Sequence, residues 1–185
     1  MAIIVLSGPS GVGKNAIEAE LLKAIPALRL ASSLTTRKPR PGDVPGKYVY
    51  VSRPEFEAKV KAGAVLEWAE YSGNLYGTVQ PQFDQPALLE IEVQGAAQIK
   101  KQVPDALLIF VVTPGKDVAG QLEVLGERLR GRATEAPATI RRRLAEAESE
   151  LRQGQRQADV VIVNDDLATA IRETITCVKE YLATL

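Results

Sequence analysis

Residues Ile3-Ile4-Val5-Leu6-Ser7-Gly8-Pro9-Ser10-Gly11-Val12-Gly13-Lys14-Asn15 decide the fold. The apolar run that opens them has the length and β-branching of a buried strand, and Ala16 to Ile25 beyond them carries apolar residues at helical spacing. Strand, glycine-rich turn and helix in that order turn the spacing G-x-x-x-x-G-K, from Gly8 to Lys14, into a physical argument. The glycines let the backbone curl until successive N–H groups face a concave anion nest, to which the helix adds its positive end. Lys14 then reaches the β- and γ-phosphates. Gly8, Ser10, Gly11, Val12, Gly13, Lys14 and Asn15 are therefore the candidate nucleotide contacts. A plain glycine turn is the alternative, and it leaves the strand before the loop and the lysine at its end unexplained. Such a loop specifies a nucleotide and not a reaction. The residue after the lysine is ordinarily Ser or Thr, whose hydroxyl binds Mg²⁺. Here it is Asn15, so the metal position rests on an amide oxygen.

Outward from the loop, apolar runs at Leu88 to Val93, Ala106 to Val112 and Val160 to Val163 read as further buried strands, with helical patterns between them. The expected architecture is α/β, with a parallel sheet flanked by helices. Residues 31–85 read differently: Tyr48-Val49-Tyr50-Val51 alternates, turns fall at Pro41-Gly42, Pro45-Gly46 and Ser72-Gly73-Asn74, and Pro54 to Ala62 is helical. This predicts a small mixed lobe with antiparallel strands. From Asp117 to Leu151, Leu122, Leu125, Leu129, Ile140, Leu144 and Leu151 form the apolar stripe of two Arg- and Glu-rich helices broken at Pro137. The polar stretch from Gly131 to Ala138 suits the hinge of a mobile lid. The expectation is one domain over 1–185, with a core of 1–30, 86–116 and 156–185, a lobe of 31–85 and a lid of 117–155.

Composition narrows the chemistry. The chain of 185 residues has 23 Lys and Arg against 23 Asp and Glu, so it lacks the basic excess of a nucleic-acid binder. It has no histidine, which excludes imidazole bases and nucleophiles. Its one cysteine, Cys177, cannot form an internal disulfide or a cysteine zinc site and reads as core packing. The start shows no basic leader and no apolar stretch of membrane-spanning length, so a cytoplasmic location without a membrane partner is expected.

The segment Ser33-Leu34-Thr35-Thr36-Arg37-Lys38-Pro39-Arg40-Pro41-Gly42-Asp43 sets two arginines three apart beside proline-stiffened turns. Guanidinium forks suit phosphate, so Arg37 and Arg40 are a candidate second phosphate clamp. Alone, the segment reads equally as a solvated basic loop. It is joined by Glu67-Trp68-Ala69-Glu70, Gly73-Asn74-Leu75-Tyr76-Gly77-Thr78, Glu90-Ile91-Glu92-Val93-Gln94-Gly95, Arg128-Leu129-Arg130-Gly131-Arg132, Arg141-Arg142-Arg143-Leu144 and Val163-Asn164-Asp165-Asp166. In that order and rough spacing the chain resembles guanylate kinase over nearly its whole length.

The resemblance implies a P-loop core, a GMP-binding lobe and a helical lid, with ATP and GMP or dGMP as partners and Mg²⁺ accompanying ATP. It implies that Arg37, Arg40, Tyr48 and Tyr76 hold the phosphate of GMP and that Ser33, Glu67, Thr78 and Glu92 read guanine. The base chemistry agrees: guanine offers N1–H and N2–H₂ to one carboxylate, and adenine has no such pair. Lys14, Arg132 and Arg143 are the implied catalytic cations and Asn164 the adenine contact. Arg128, Arg141 and Arg142 are weaker candidates, since helix arginines commonly face solvent. The chain departs from the family at Asn15, at Gly46-Lys47-Tyr48, which is one residue short, in a shortened stretch from Tyr76 to Glu90, and in a lengthened stretch from Gly115 to Gly126. Two other readings stay open: a related kinase of another acceptor, such as a ribose bisphosphate, and a module that binds proteins in the old cleft.

Overall fold

The computed structural model describes residues 1–131 and 136–185. In chain order the first half holds β1 (Ile3–Ser7), α1 (Lys14–Ala24), β2 (Arg29–Leu30), β3 (Ser33–Thr35), β4 (Tyr48–Tyr50), α2 (Arg53–Lys61), β5 (Val65–Tyr71) and β6 (Asn74–Val79). The second half holds β7 (Ala87–Glu90), α3 (Val93–Gln102), β8 (Leu107–Val112), α4 (Val118–Gly131), α5 (Pro137–Gln157), β9 (Val160–Val163) and α6 (Leu167–Ala183).

Five strands make one parallel sheet in the order β2-β7-β1-β8-β9. Strand β1 is central, which is why its sequence is apolar without alternation: both faces are covered. Ile4 and Leu6 pack with Ile17 and Leu21 of α1 and with Ala170 and Val178 of α6. Ile3 and Val5 face the other way, onto Ala96 and Ile99 of α3. Each such side chain contributes roughly 1.5–3 kcal/mol by leaving water. Cys177 is half-buried against the α1/α6 side, in keeping with a packing role.

The residues between β2 and β7 form the expected lobe. Its sheet runs β4-β3-β6-β5, with β3 antiparallel to β6, β6 antiparallel to β5, and β3 parallel to β4. Helix α2 starts on a capping box, in which the Ser52 hydroxyl accepts from the Glu55 N–H and the Glu55 carboxylate accepts from the Ser52 N–H. Phe56 of that helix is buried with Leu34 and Leu75, a small second core under the lobe sheet.

Two boundaries move from the sequence reading. The run expected as strand through Val93 stops at Glu90, and Val93 instead opens α3 with Glu92 as its N-cap. A parallel strand must turn into its crossover helix, and those residues make the turn. Helices α4 and α5 are separate, with Pro137 at the first position of α5, where a missing N–H costs nothing. Between β6 and β7, around Pro81 and Pro86, no helix forms. Of the stretch read as a hinge, 131–138, residues 132–135 lie outside the described ones, while Gly131 ends α4 and Pro137 and Ala138 open α5.

Candidate functional site

Strand register builds the first part of the site. Ser33 pairs with Thr78, and Thr78 pairs with Glu67 after a bulge between Val65 and Glu67. The three residues therefore form one row across β3, β6 and β5, with Thr35, Tyr76 and Ala69 as the next row along. Glu67 is 4% exposed, yet its carboxylate reaches a cavity of about 390 Å³ between the lobe and the phosphate loop. Its Oε1 accepts from the Thr78 N–H at 3.0 Å and from the Thr78 hydroxyl at 2.7 Å. Its Oε2 lies where a Cβ on Gly95 would stand at 2.1 Å, so the glycine at the start of α3 makes room for the carboxylate. Burial raises the Glu67 pKa above the ordinary carboxylate value, and the two Thr78 bonds work against that rise.

The cavity is lined on one side by Ser33, Tyr48, Glu67, Ala69, Tyr71, Tyr76 and Gly77 of the lobe. Ser10, Gly11, Gly13, Lys14, Asn15 and Ala16 line the other, and Glu90, Ile91 and Glu92 close the end between them. The fold thus brings together Ser10, Gly11, Gly13, Lys14, Asn15, Ser33, Tyr48, Glu67, Tyr76 and Glu92 of the residues expected from sequence. Gly13 has φ 107° and a Cβ there would lie 2.4 Å from the Asn164 amide nitrogen, so both backbone and space demand glycine. It caps α1 without a side chain, leaving the helix's first N–H groups to face the loop. The Lys14 ammonium donates to the carbonyls of Gly8 and Pro9.

Other expected residues stand outside the lining. Thr78 is buried and spends both donors on Glu67, so it orients that carboxylate. Arg37 is buried too, and its guanidinium forms a fork to Asp43 at 2.9 and 3.1 Å, donates to the Lys38 carbonyl and lies 5.0 Å from the centre of the Tyr48 ring. Burial alone would lower the Arg37 pKa, and Asp43 more than reverses this. Arg40 is exposed, with its backbone N–H bonded to Asp43. Sequence reasoning passed over Asp43, though it sits six residues after Arg37 in a turn, where an acid holds an arginine by local geometry. Asn164 is buried and its side-chain amide donates to the Val12 carbonyl at 2.7 Å, bracing the phosphate loop, while its backbone carbonyl accepts from Arg128. Gly8 and Val12 shape the loop from behind.

Helices α4 and α5 meet the phosphate loop directly. Leu125 and Leu129 of α4 pack with Ile140 and Ala147 of α5, and Leu129 stands against Gly11. Arg143 of α5 donates to the Ser10 hydroxyl at 3.0 Å. Arg132 lies outside the described residues. Among the described residues no group of three or more acidic, cysteine or histidine side chains is arranged as a metal cage. An ion arriving on nucleotide phosphates needs fewer donors, and Asn15, exposed on the first turn of α1 beside Lys14, offers one hard oxygen of the right class.

Known proteins of the same pattern were found by sequence and by shape. The guanylate kinase family model matches residues 1–183. A guanylate kinase of Rubrobacter xylanophilus is 43% identical over 98% of this chain and 95% of its own length. One from Gloeobacter violaceus is 47% identical over 91% of this chain and 82% of its own. The crystal structure of guanylate kinase from Anaplasma phagocytophilum superposes with a TM-score of 0.72 at 30% identity, covering 99% of this chain and 85% of that one.

Proposed function

Because the chain belongs to the guanylate kinase family, whose members carry the γ-phosphoryl group of ATP to GMP, we infer that the 390 Å³ cavity is where this chain makes ADP and GDP. The observation that carries the reading is a buried carboxylate, Glu67, facing the same cavity as Lys14. Thr78 fixes one of its oxygens, and the acceptor capacity that is left suits a base with adjacent N1–H and N2–H₂ donors. Ser33 and Glu92 complete the guanine end. Tyr48 and Tyr76 serve the acceptor phosphate; Arg37 and Arg40 join them by exchanging Asp43 for phosphate oxygens, a reading supported by Arg37 lying against the Tyr48 ring.

On the donor side the loop N–H groups and Lys14 hold the β- and γ-phosphates, Lys14 leaving the Gly8 and Pro9 carbonyls to do so. An oxygen of the GMP phosphate forms a bond to the γ-phosphorus as the bond to the β,γ-bridging oxygen breaks, and ADP leaves with that oxygen. Little covalent work falls to the protein. Its task is to hold both phosphates in line and to place cations where charge spreads over the equatorial oxygens, and Arg143, bonded to Ser10 of the phosphate loop, is assigned that place. Arg132 is assigned the same task. Mg²⁺, held by ATP and by Asn15, would neutralise phosphate charge there. Asn164 serves the adenine end through the loop it braces. Neither nucleotide calls for a nucleic-acid or membrane partner, and no described helix is long and apolar enough to cross a membrane. A cytoplasmic enzyme of core, GMP lobe and lid is the proposal.

The test is ADP release coupled to a reporter, run with GMP, dGMP, AMP, UMP and ribose phosphates. GMP and dGMP are expected to support turnover. Turnover with a ribose phosphate and none with GMP would overturn the acceptor assignment.

A further inference from the structure

Lys47 is the one buried lysine among the described residues, 5% exposed, and it ends a loop whose neighbours are in water: Lys38 to Gly42 and Val44 to Gly46 are all exposed. Its ammonium donates to both oxygens of Glu18 at 2.9 Å and to Oε2 of Glu90 at 2.5 Å. Glu18 is on α1, one turn beyond Lys14, and Glu90 ends β7 at the floor of the cavity. Lys47 itself belongs to the lobe: its carbonyl accepts from the Ser33 N–H, and Tyr48 follows it. One side chain therefore joins the lobe to two elements of the core, between two residues of the acceptor site.

The charges are balanced only as a set. Burial and the charge of Glu90 push Glu18 up to about 7, against its bonds from Lys47. Burial also works to raise Glu90, and Lys14 and Lys47 together more than offset it. Burial would lower Lys47, and the two carboxylates hold it above the ordinary lysine value. Two buried carboxylates left without the ammonium would repel each other, so the loop cannot leave without a large cost.

We propose that Lys47 is a positioning residue for the acceptor: it straps the 37–48 loop to α1 and β7 and so sets Tyr48 and Ser33 at a fixed distance from the phosphate loop. It stands in the segment that is one residue short, Gly46-Lys47-Tyr48. The strap acts through Tyr48 and Ser33 and touches no substrate. The inference rests on the cavity being the GMP site.

The experiment measures steady-state KM for GMP and for ATP, with kcat, in wild type, Lys47→Met and Glu18→Gln/Lys47→Met. The double variant removes one of the two stranded carboxylates and serves where the single one fails to fold; circular dichroism establishes folding. The expected result is a GMP KM raised ~10- to ~100-fold, the scale on which a displaced positioning group is felt, with ATP KM raised far less. A folded variant with the wild-type GMP KM overturns the proposal. So does an equal rise in both KM values, which would mean that Glu90 had turned onto Lys14 or that the whole molecule had loosened. A wild type inert toward GMP would overturn the acceptor reading itself, and is seen before any variant is compared.

Discussion

Glu67 shows how much of one residue's function is imposed by its neighbours. Thr78 holds one oxygen, Gly95 leaves room for the other, and burial keeps water from competing. Replacing it by Gln puts an amide donor against the donors of guanine, which costs about 1–3 kcal/mol; GMP KM is expected to rise on the order of tenfold to a hundredfold, with ATP KM unchanged. Steady-state kinetics with each substrate varied checks this, and untouched GMP kinetics would remove Glu67 from the base site. The pH dependence follows from sign. A carboxyl whose pKa is raised takes up its proton at a higher pH than an ordinary one, and under the proposed base contact the neutral form would lose an acceptor for guanine. The kcat/KM for GMP should therefore fall on the acid side, beginning above the usual carboxylate range, and Glu67→Gln should lose that limb. Asn15 is the second test at this scale. The wild type is expected to be strictly Mg²⁺-dependent, and Asn15→Ser should lower the Mg²⁺ concentration for half-activity and raise kcat. Titrating Mg²⁺ against ADP formation decides it, and identical curves would place the ion elsewhere.

Helix α5 carries two kinds of side chain with opposite consequences. Arg143 reaches Ser10, so Arg143→Ala should act mainly on kcat, with a loss on the order of 10²-fold; a change confined to GMP KM would put that arginine on the acceptor side. One and two turns further along, Glu146 accepts from the Ser72 hydroxyl, and Oε2 of Glu150 is buried without a hydrogen-bond partner among the described residues. Burial, with Glu92 and Glu146 nearby, pushes Glu150 up to about 8, though Lys14 pulls the other way. A carboxyl raised in the folded state is neutral there at pH values where the unfolded chain is already ionised. Its contribution to stability is intact below about 4.5 and is lost as pH rises from there to about 8. Glu150→Gln should therefore raise Tm at pH 8 and flatten the decline of Tm between pH 5 and 8; differential scanning calorimetry across that range reads it, and parallel wild-type and variant curves would refute it. Helices were the easier part of the sequence to read, because apolar spacing and Pro137 mark α4 and α5 locally. What each helix touches was not readable. Arg143 was legible as a candidate through the family pattern, whereas its bond to Ser10, and Glu150's place against Tyr71 and Glu92, depend on how α5 crosses the cleft.

Over the whole molecule, what lay in sequence-adjacent residues was legible and what lay in register was not. The phosphate loop is one short stretch, so spacing disclosed it. The row Ser33, Thr78 and Glu67 depends on a bulge, and the Lys47 strap joins residues that only the finished fold brings together. Arg37 was read from its chemistry as a phosphate group's partner; in the structure Asp43 holds the guanidinium. The lobe is nevertheless tied to the core through α3, and the two are expected to unfold together. Gln98 of α3 bonds both backbone groups of Trp68, and Gln102 bonds the Leu66 carbonyl, across β5. Trp68 is the chain's one tryptophan and is 43% exposed, so its fluorescence reports the lobe, while far-ultraviolet circular dichroism reports the helices. The two urea transitions should coincide; an earlier fluorescence transition would show the lobe melting alone. The central place of β1 carries a last consequence, for the history of each molecule as it is made. Ile3 has its partner at Ala87 and Ile4 has another at Leu107, so the strand at the centre of this sheet is synthesised more than eighty residues ahead of its first neighbour there and more than a hundred ahead of its second. Closing such long loops before any pairing is gained makes for slow folding. Until then Ile3-Ile4-Val5-Leu6 is a bare, uncharged, β-prone stretch of the kind that adheres to its like. The strand that anchors the finished sheet is, during synthesis, a part of the chain that needs shelter.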